Sequence, residues 1–274
     1  MSRIAYDPVK DRFARIIRSS RLLRTLFYKI LDLFFLRSWY IRRVLRREGG
    51  RLDGEGPWTL LDAGSGFGQY DRFILREFDR VLVTAVDVKE DYLEDARRYF
   101  RREIRRGRIT LNQADLLKLN SPDAYDFVLC VDVLEHIEED VRVMRNIAGA
   151  LKEDGLFLMH SPSIYSEEDA EGEESFVDEH ARTGYSEEDL RVKLREAGLE
   201  PVEISYTYGR KGHRAWEWII KYPMLWMTRW RLWALPFMAV WYLFVLPPAL
   251  LLMRQDMEEE KEWGTGIYAL ARKG

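Results

Sequence analysis

Apolar residues in this chain fall into two kinds of run. Short ones, within Leu60–Ala63, Val81–Val86, Tyr125–Val131 and Leu156–Ser161, have the length and β-branched content of strands buried on both faces. Between them, apolar positions return every three or four residues, predicting helices near Gln69–Phe78, Asp91–Arg102, Ile137–Leu151 and Ser186–Ala197. The last opens with the capping box Ser186-Glu187-Glu188-Asp189, and the Asp91 helix gathers Arg97, Arg98, Arg101 and Arg102 toward its end, as a helix dipole favours. With shorter strands at Arg108–Asn112, Val202–Tyr206 and near Gly264–Arg272, the alternation predicts a doubly wound, parallel α/β sheet.

Two stretches stand outside that alternation. From about Asp11 to Arg47, Phe13, Ile16, Ile17, Leu23, Phe27, Ile30, Leu31 and Phe34 recur at helical spacing, with Arg15, Arg18, Arg21, Arg24 and Lys29 among them. A basic amphipathic helix of this kind suits an anionic membrane interface; packing on the domain and a nucleic-acid arm are the other readings. Its aromatic residues, Phe27, Tyr28, Phe34, Phe35, Trp39 and Tyr40, favour the membrane. Glu48–Gly56, polar and glycine-rich, reads as a linker.

The second stretch is crowded with Trp216, Trp218, Tyr222, Trp226, Trp230 and Trp233, after which Leu232–Met253 runs uncharged for 22 residues. That is the length of a transmembrane helix. The strands on either side must nevertheless join one sheet, so the segment has to return to the side it left. Pro236, Pro247 and Pro248 offer break points, and the expectation is a shallow hairpin, or in-plane helices, dipping into one leaflet. An apolar subdomain or a homodimer interface is the alternative. The regions are then 1–56, a basic helix and linker; 57–208, the sheet domain; 209–263, the apolar insertion; and 264–274, the last strand.

Composition narrows the setting. A chain of 274 residues with one series of α/β signals reads as one domain with additions. Its one cysteine, Cys130, lies in the apolar fourth strand, so no disulfide forms within the chain and a reducing, cytosolic compartment is the simpler expectation. Four histidines and no Cys/His cluster give no zinc signature, and no metal is expected. The net charge of −3 conceals an asymmetry: residues 1–56 carry 14 Lys and Arg against 6 Asp and Glu, whereas 167–179 hold eight acids and no base. No cleavable secretion signal is evident.

Candidate chemistry gathers at the strand ends. Leu61-Asp62-Ala63-Gly64-Ser65-Gly66-Phe67-Gly68 is a strand running into a turn with glycine at every second position, able to bring bare backbone against a nucleotide-like ligand. The dinucleotide fingerprint is broken, since Gln69 stands where its third glycine belongs, which argues against NAD. Asp87, Asp115 and Asp132 close the next three strands at the same edge, where ligands bind in open α/β sheets.

In series, LDAGSGFG at 61–68, VTAVDV at 83–88, NQADLL at 112–117, YDFVLCVDVLEHI at 125–137 and LKEDGLFLMHSP at 151–162 resemble the class I S-adenosylmethionine-dependent methyltransferases. The resemblance implies a Rossmann-like seven-stranded sheet with an antiparallel last strand. It implies S-adenosylmethionine as cofactor: Gly64, Ser65, Gly66 and Gly68 along its methionine and ribose parts, Asp87 with Val88 at the ribose hydroxyls, Asp115 with Leu116 at the adenine, and Asp62 and Asp132 facing the methionine. The segment from Asp178 to Tyr185 looks like the one that closes over the acceptor, which makes His180 the first choice for a general base, with Tyr185 beside it; His136 and His160 are further candidates. The expected function is methylation of a lipophilic acceptor, either a lipid headgroup or a quinone or polyprenyl phenol. The enzyme would be peripheral or monotopic on an anionic, cytoplasmic membrane face, with no nucleic-acid partner. A soluble metabolite as acceptor, with the insertion forming a dimer, and a non-catalytic membrane scaffold are the rivals.

Overall fold

A computed structural model of the chain describes residues 20–169 and 181–274. Phe13, Arg15, Ile16, Ile17, Arg18, His180 and most of the acidic run lie outside the described residues. The described chain begins with helices α1 (Arg21–Phe34) and α2 (Leu36–Glu55), followed by β1 (Trp58–Ala63), α3 (Gln69–Glu77), β2 (Val81–Asp87), α4 (Glu90–Tyr99), α5 (Arg101–Arg105) and β3 (Ile109–Gln113). Next come β4 (Tyr125–Val131), α6 (Asp140–Ala150), β5 (Leu151–Pro162), α7 (Glu187–Glu196) and β6 (Leu199–Thr207). Then follow α8 (Arg210–Trp216), a π-helical turn at Glu217–Lys221, α9 (Tyr222–Trp230), α10 (Ala234–Glu258) and β7 (Gly266–Lys273).

The seven strands form one sheet in the order β3-β2-β1-β4-β5-β7-β6, parallel except for β7, which runs antiparallel to both neighbours. Strand order reverses beside β1, between β1 and β4, so the carboxyl ends of these two strands open the crevice where such sheets bind ligands. Cys130 is buried in β4, and burial holds its thiol well above the usual range, as for an inert core residue.

The described part of the N-terminal region, residues 21–55, is not an appendage. Leu36, Tyr40, Ile41, Val44 and Leu45 of α2 are buried in the same cluster as Leu60, Phe73, Phe127 and Leu158. Helix α2 also runs through Glu48–Gly56, the supposed linker, to Glu55. The reason is packing: a Cβ at Gly49 would lie 2.8 Å from the Phe78 ring, so glycine serves close approach there rather than a break. The single long N-terminal helix is in fact two, parted at Phe35, whose extended backbone (φ −99°, ψ 109°) interrupts the helix.

The insertion is a helical hairpin, an arm whose prolines do not break it. Its outgoing limb is α8, the π turn and α9; it reverses at Arg231 (φ +51°) and returns as α10, continuous for 25 residues with Pro247 and Pro248 inside it. The limbs are joined by Trp226 edge-on to Phe237 and Trp241, at 4.7 and 4.9 Å between ring centroids. The π turn leaves backbone carbonyls to spare, and Trp241 Nε1–H and the Tyr242 hydroxyl donate to those of Trp218 and Ile219 at 2.9 and 2.7 Å. Ala249, Met253 and Asp256 anchor the arm's base in the protein, whereas Trp233 (89% exposed), Leu243 and Phe244 stand clear of it.

Candidate functional site

The glycine turn between β1 and α3 uses its own backbone donors internally. Gly64 and Ser65 N–H both donate to the Val86 carbonyl at 2.9 Å, Gly68 N–H to the Ser65 carbonyl at 2.9 Å, and Gly66 N–H to Asp87 Oδ2 at 2.9 Å. What the glycines leave for a ligand is therefore room more than donors. A Cβ at Gly64 would strike Val133 Cγ2 at 2.3 Å and one at Gly68 the Phe100 ring at 2.7 Å, but one at Gly66 (φ +52°) would meet nothing within 4 Å. Gly66 alone of the three faces open space.

Asp87 also accepts from Lys89 N–H at 2.8 Å, so its carboxylate ties the turn to the end of β2. Val88 beside it is exposed. At the end of β3, Asp115 caps the short turn that follows by accepting from Leu117 N–H at 3.0 Å, and Leu116 is buried. Asp62 and Asp71 are buried together; burial and the second carboxyl push Asp62 well above its usual range, and burial carries Asp71 up to about 7. Ser65 Oγ is buried without a hydrogen-bond partner among the described residues. An open face at Gly66, an unused hydroxyl and carboxylates crowded around one turn fit a ribose-bearing ligand with cationic groups, as S-adenosylmethionine is.

Helix α1 lies over this turn, which the sequence did not disclose. Arg24 Nη2 donates to the Phe67 carbonyl at 2.9 Å and the Tyr28 hydroxyl donates to the same oxygen, while Thr25 Oγ1 meets the Tyr99 hydroxyl at 3.0 Å.

The second half of the site is at the end of β4. Asp132 takes positive φ (+52°), a conformation that costs a residue with a side chain and gathers at functional sites. Its Oδ1 lies 2.7 Å from His160 Nδ1 on β5, and its Oδ2 is ion-paired with Arg37 from the first turn of α2. Burial alone would raise the Asp132 carboxyl; the Arg37 charge and His160 outweigh it and hold the group down at about 2. Because a carboxylate only accepts, His160 carries its proton on Nδ1, leaving Nε2 to accept from the Thr207 hydroxyl at 3.1 Å. Gly266 keeps that pair free, for a Cβ there would lie 2.4 Å from Thr207 Oγ1. Asp132 and His160 line a cleft of about 250 Å³ with Phe35, Arg37, Tyr208 and Trp216.

Of the other base candidates, Tyr185 has no access to this cleft. It is fully buried, its hydroxyl donates to Asp140 Oδ2 at 2.8 Å, and it holds Asp140 together with Arg182 and Lys193. Its role is structural. His136 sits in the turn after β4, its Nε2 4.0 Å from Glu135 Oε1. His180 lies outside the described residues. Arg37, Phe35 and Trp216 come from segments far from the strand-end motifs, and nothing in the motif series pointed to them.

Glu135 gives the site a pH signature. Burial and the nearby Asp132 charge push it up to about 8, and Ser161 Oγ meets its Oε2 at 2.9 Å. Its folded value lies above that of the unfolded chain (about 4.3), so its stabilisation is complete below that value and is lost as pH rises through 8. Asp132 acts in the opposite sense, contributing above about 4 and losing that contribution only in strong acid. Urea midpoints of the natural protein should fall between pH 5 and 8, and Glu135→Gln should flatten that fall. Parallel slopes for the two proteins would contradict the assignment.

A seven-stranded sheet with this order, an antiparallel last strand and a glycine turn facing a strand-end acid defines the class I S-adenosylmethionine-dependent methyltransferase fold. Residues 61–157 match the family model described as a methyltransferase domain. Among solved structures, a putative sarcosine dimethylglycine methyltransferase from Galdieria sulphuraria superposes with TM-score 0.59 at 18% identity, covering 86% of each chain. An S-adenosylmethionine-dependent methyltransferase from Clostridium acetobutylicum superposes with TM-score 0.57 at 16% identity, covering 97% of this chain and 99% of that one. Among curated proteins, a ubiquinone biosynthesis O-methyltransferase of Rickettsia felis is 29% identical over 77 residues, 28% of this chain and 31% of its own length. The chain spans between about a third and about half the length of the curated relatives it matches.

Proposed function

We propose that the protein transfers a methyl group from S-adenosylmethionine to an oxygen of a lipophilic, membrane-held acceptor of the phenol or quinol class. The observation that carries this reading is the wall of the cleft beside Asp132 and His160. Phe35 comes from the α1–α2 junction and Trp216 from the base of the arm, the two elements that also carry exposed apolar residues: Leu22 (82% exposed), Leu26 and Ile30 on α1, and Trp233, Leu243 and Phe244 on the arm. Phe34 and Tyr242, with centroids 5.3 Å apart, join the two elements. An acceptor resting in a leaflet beside these faces would reach the cleft along apolar surface.

The cofactor supplies an electrophilic methyl group on a sulfonium. His160 Nε2 takes the acceptor's hydroxyl proton, after the acceptor displaces the Thr207 hydroxyl now on that nitrogen. Asp132 remains anionic and pairs with the imidazolium. The acceptor oxygen, relieved of its proton by His160, would be the nucleophile for that methyl group. Similarity to the ubiquinone biosynthesis O-methyltransferase over part of the chain supports an oxygen acceptor.

Membrane attachment is tested at the exposed apolar residues of the arm. Trp233, Leu243 and Phe244 make little contact with the protein, so the triple change to serine should leave the fold intact. Each apolar side chain fully buried contributes roughly 1.5 to 3 kcal/mol, so even partial insertion makes the change cost more than about tenfold in binding to phosphatidylcholine vesicles. Equal sedimentation of both proteins with vesicles, or equal solubility without detergent, would remove the membrane from the reading.

A further inference from the structure

Away from the methyl-transfer cleft, α1, α2 and α3 enclose a second cavity of about 480 Å³. Its lining is strongly cationic: Lys29 from α1, Arg42 and Arg46 from α2, Arg72 and Arg76 from α3, against the carboxylates of Asp32 and Glu77. The guanidinium groups are held in place rather than free to drift. Arg42 and Arg46 both stand over the Phe73 ring, 4.4 and 5.0 Å from its centroid. Arg42 and Arg72 share Asp32 Oδ2 at 2.9 and 3.4 Å, and Gln69 Nε2 donates to Asp32 Oδ1 at 3.0 Å. Asp32 is thus fully engaged by three donors while neutralising a single charge.

Arg46 is paired with Glu77 at 2.8 Å. Among the described residues, neither Lys29 nor Arg76 has an ion-pair partner, and Arg42 Nε is buried without an acceptor. Crowded cations of this kind repel: besides burial, Arg46 and Arg72 both act to lower the Arg42 pKa. Five cations against two acids leave an excess of three positive charges around one cavity, with an orphaned guanidinium donor among them. Forked donors fixed on an aromatic ring match the oxygens of a phosphate group, which would relieve both the repulsion and the unused N–H.

We infer that this cavity is a binding site for a phosphate monoester dianion, carried either by a soluble phosphoester or by an anionic lipid headgroup. Leu33, exposed at the cavity's edge, continues the apolar residues of α1, and so leaves a place for an acyl chain in the second case. The site does not depend on the acceptor proposed above, and its test reads binding rather than methyl transfer.

The test variant is Lys29→Gln with Arg76→Gln, which removes the two unpaired charges and spares the contacts that hold α1, α2 and α3 together. A charge-matched control is Arg101→Gln with Arg102→Gln on α5. Titration calorimetry with inorganic phosphate reads the soluble source. Co-sedimentation with phosphatidylcholine vesicles containing phosphatidic acid, relative to phosphatidylcholine alone, reads the lipid source. The expected result is a loss of about tenfold or more in at least one assay for Lys29→Gln/Arg76→Gln, from two charge-assisted hydrogen bonds forgone, with the control unchanged. The assay that responds identifies the source. Equal binding by the natural protein and the cavity variant in both assays, or an equal loss in the control, overturns the proposal.

Discussion

His160→Ala should lower turnover by about two to four orders of magnitude, the usual contribution of a positioned general base, while leaving S-adenosylmethionine affinity unchanged. The expectation rests on two hydrogen bonds that fix the ring: Asp132 at 2.7 Å determines that Nδ1 carries the proton, and Thr207 at 3.1 Å marks where the basic Nε2 points. Asp132→Asn should reproduce most of the loss, because an amide can donate to Nδ1 and so stabilise the wrong tautomer, and because it no longer balances an imidazolium. Steady-state kinetics separate catalysis from support: the loss in His160→Ala should fall on kcat, with the KM for acceptor little changed. A loss confined to cofactor binding, with kcat retained, would move His160 out of the acceptor site.

Gly66→Val should abolish measurable cofactor binding, with a loss of about a hundredfold or more, in a protein that still folds. A valine at φ +52° is strained by on the order of 1 to 3 kcal/mol, which a domain of this size tolerates. No protein atom lies within 4 Å of the new Cβ, so the added bulk falls where the ligand must lie. Gly64→Val is the informative contrast, since its Cβ would meet Val133 at 2.3 Å and should unfold or distort the domain. Asp87→Ala should weaken binding as well, partly by freeing Gly66 N–H and loosening the turn. Thermal unfolding followed by calorimetry on the folded variants checks both outcomes, and full affinity in Gly66→Val would dismiss the turn as the cofactor site.

Local patterns were legible wherever one segment carried its own reason. β4 has the bounds expected, Tyr125–Val131, because an apolar run between polar residues says where burial starts and stops. Ser186 caps α7 by accepting from Asp189 N–H at 3.1 Å, as its spacing announced. Signals whose meaning depends on a distant partner were misread. Gly49 looked like a breaker because Phe78, against which it packs, is remote in sequence. Tyr185 looked available because the carboxylate that occupies it, Asp140, belongs to another helix. Arg37 was one arginine among many until folding laid it on Asp132, and Phe35 was one more apolar residue until it parted two helices at the mouth of the cleft. The prolines of α10 lie within a continuous helix, and the reversal falls instead at Arg231, where φ is positive.

The antiparallel pairing of β6 with β7 has a consequence for how this protein can vary. Tyr206 faces Ile267 and Thr207 faces Gly266, so the whole arm between them is, to the sheet, a single reverse turn of unusual size. Closing a longer connection costs only about 0.6 kcal/mol for each doubling of its length. The outer part of the arm can therefore be trimmed, extended or rewritten in sequence with little penalty to the strands that carry the glycine turn and the Asp132–His160 pair. The arm's outer surface and the site at the strand ends become separately inheritable traits, one free to drift while the other stays fixed.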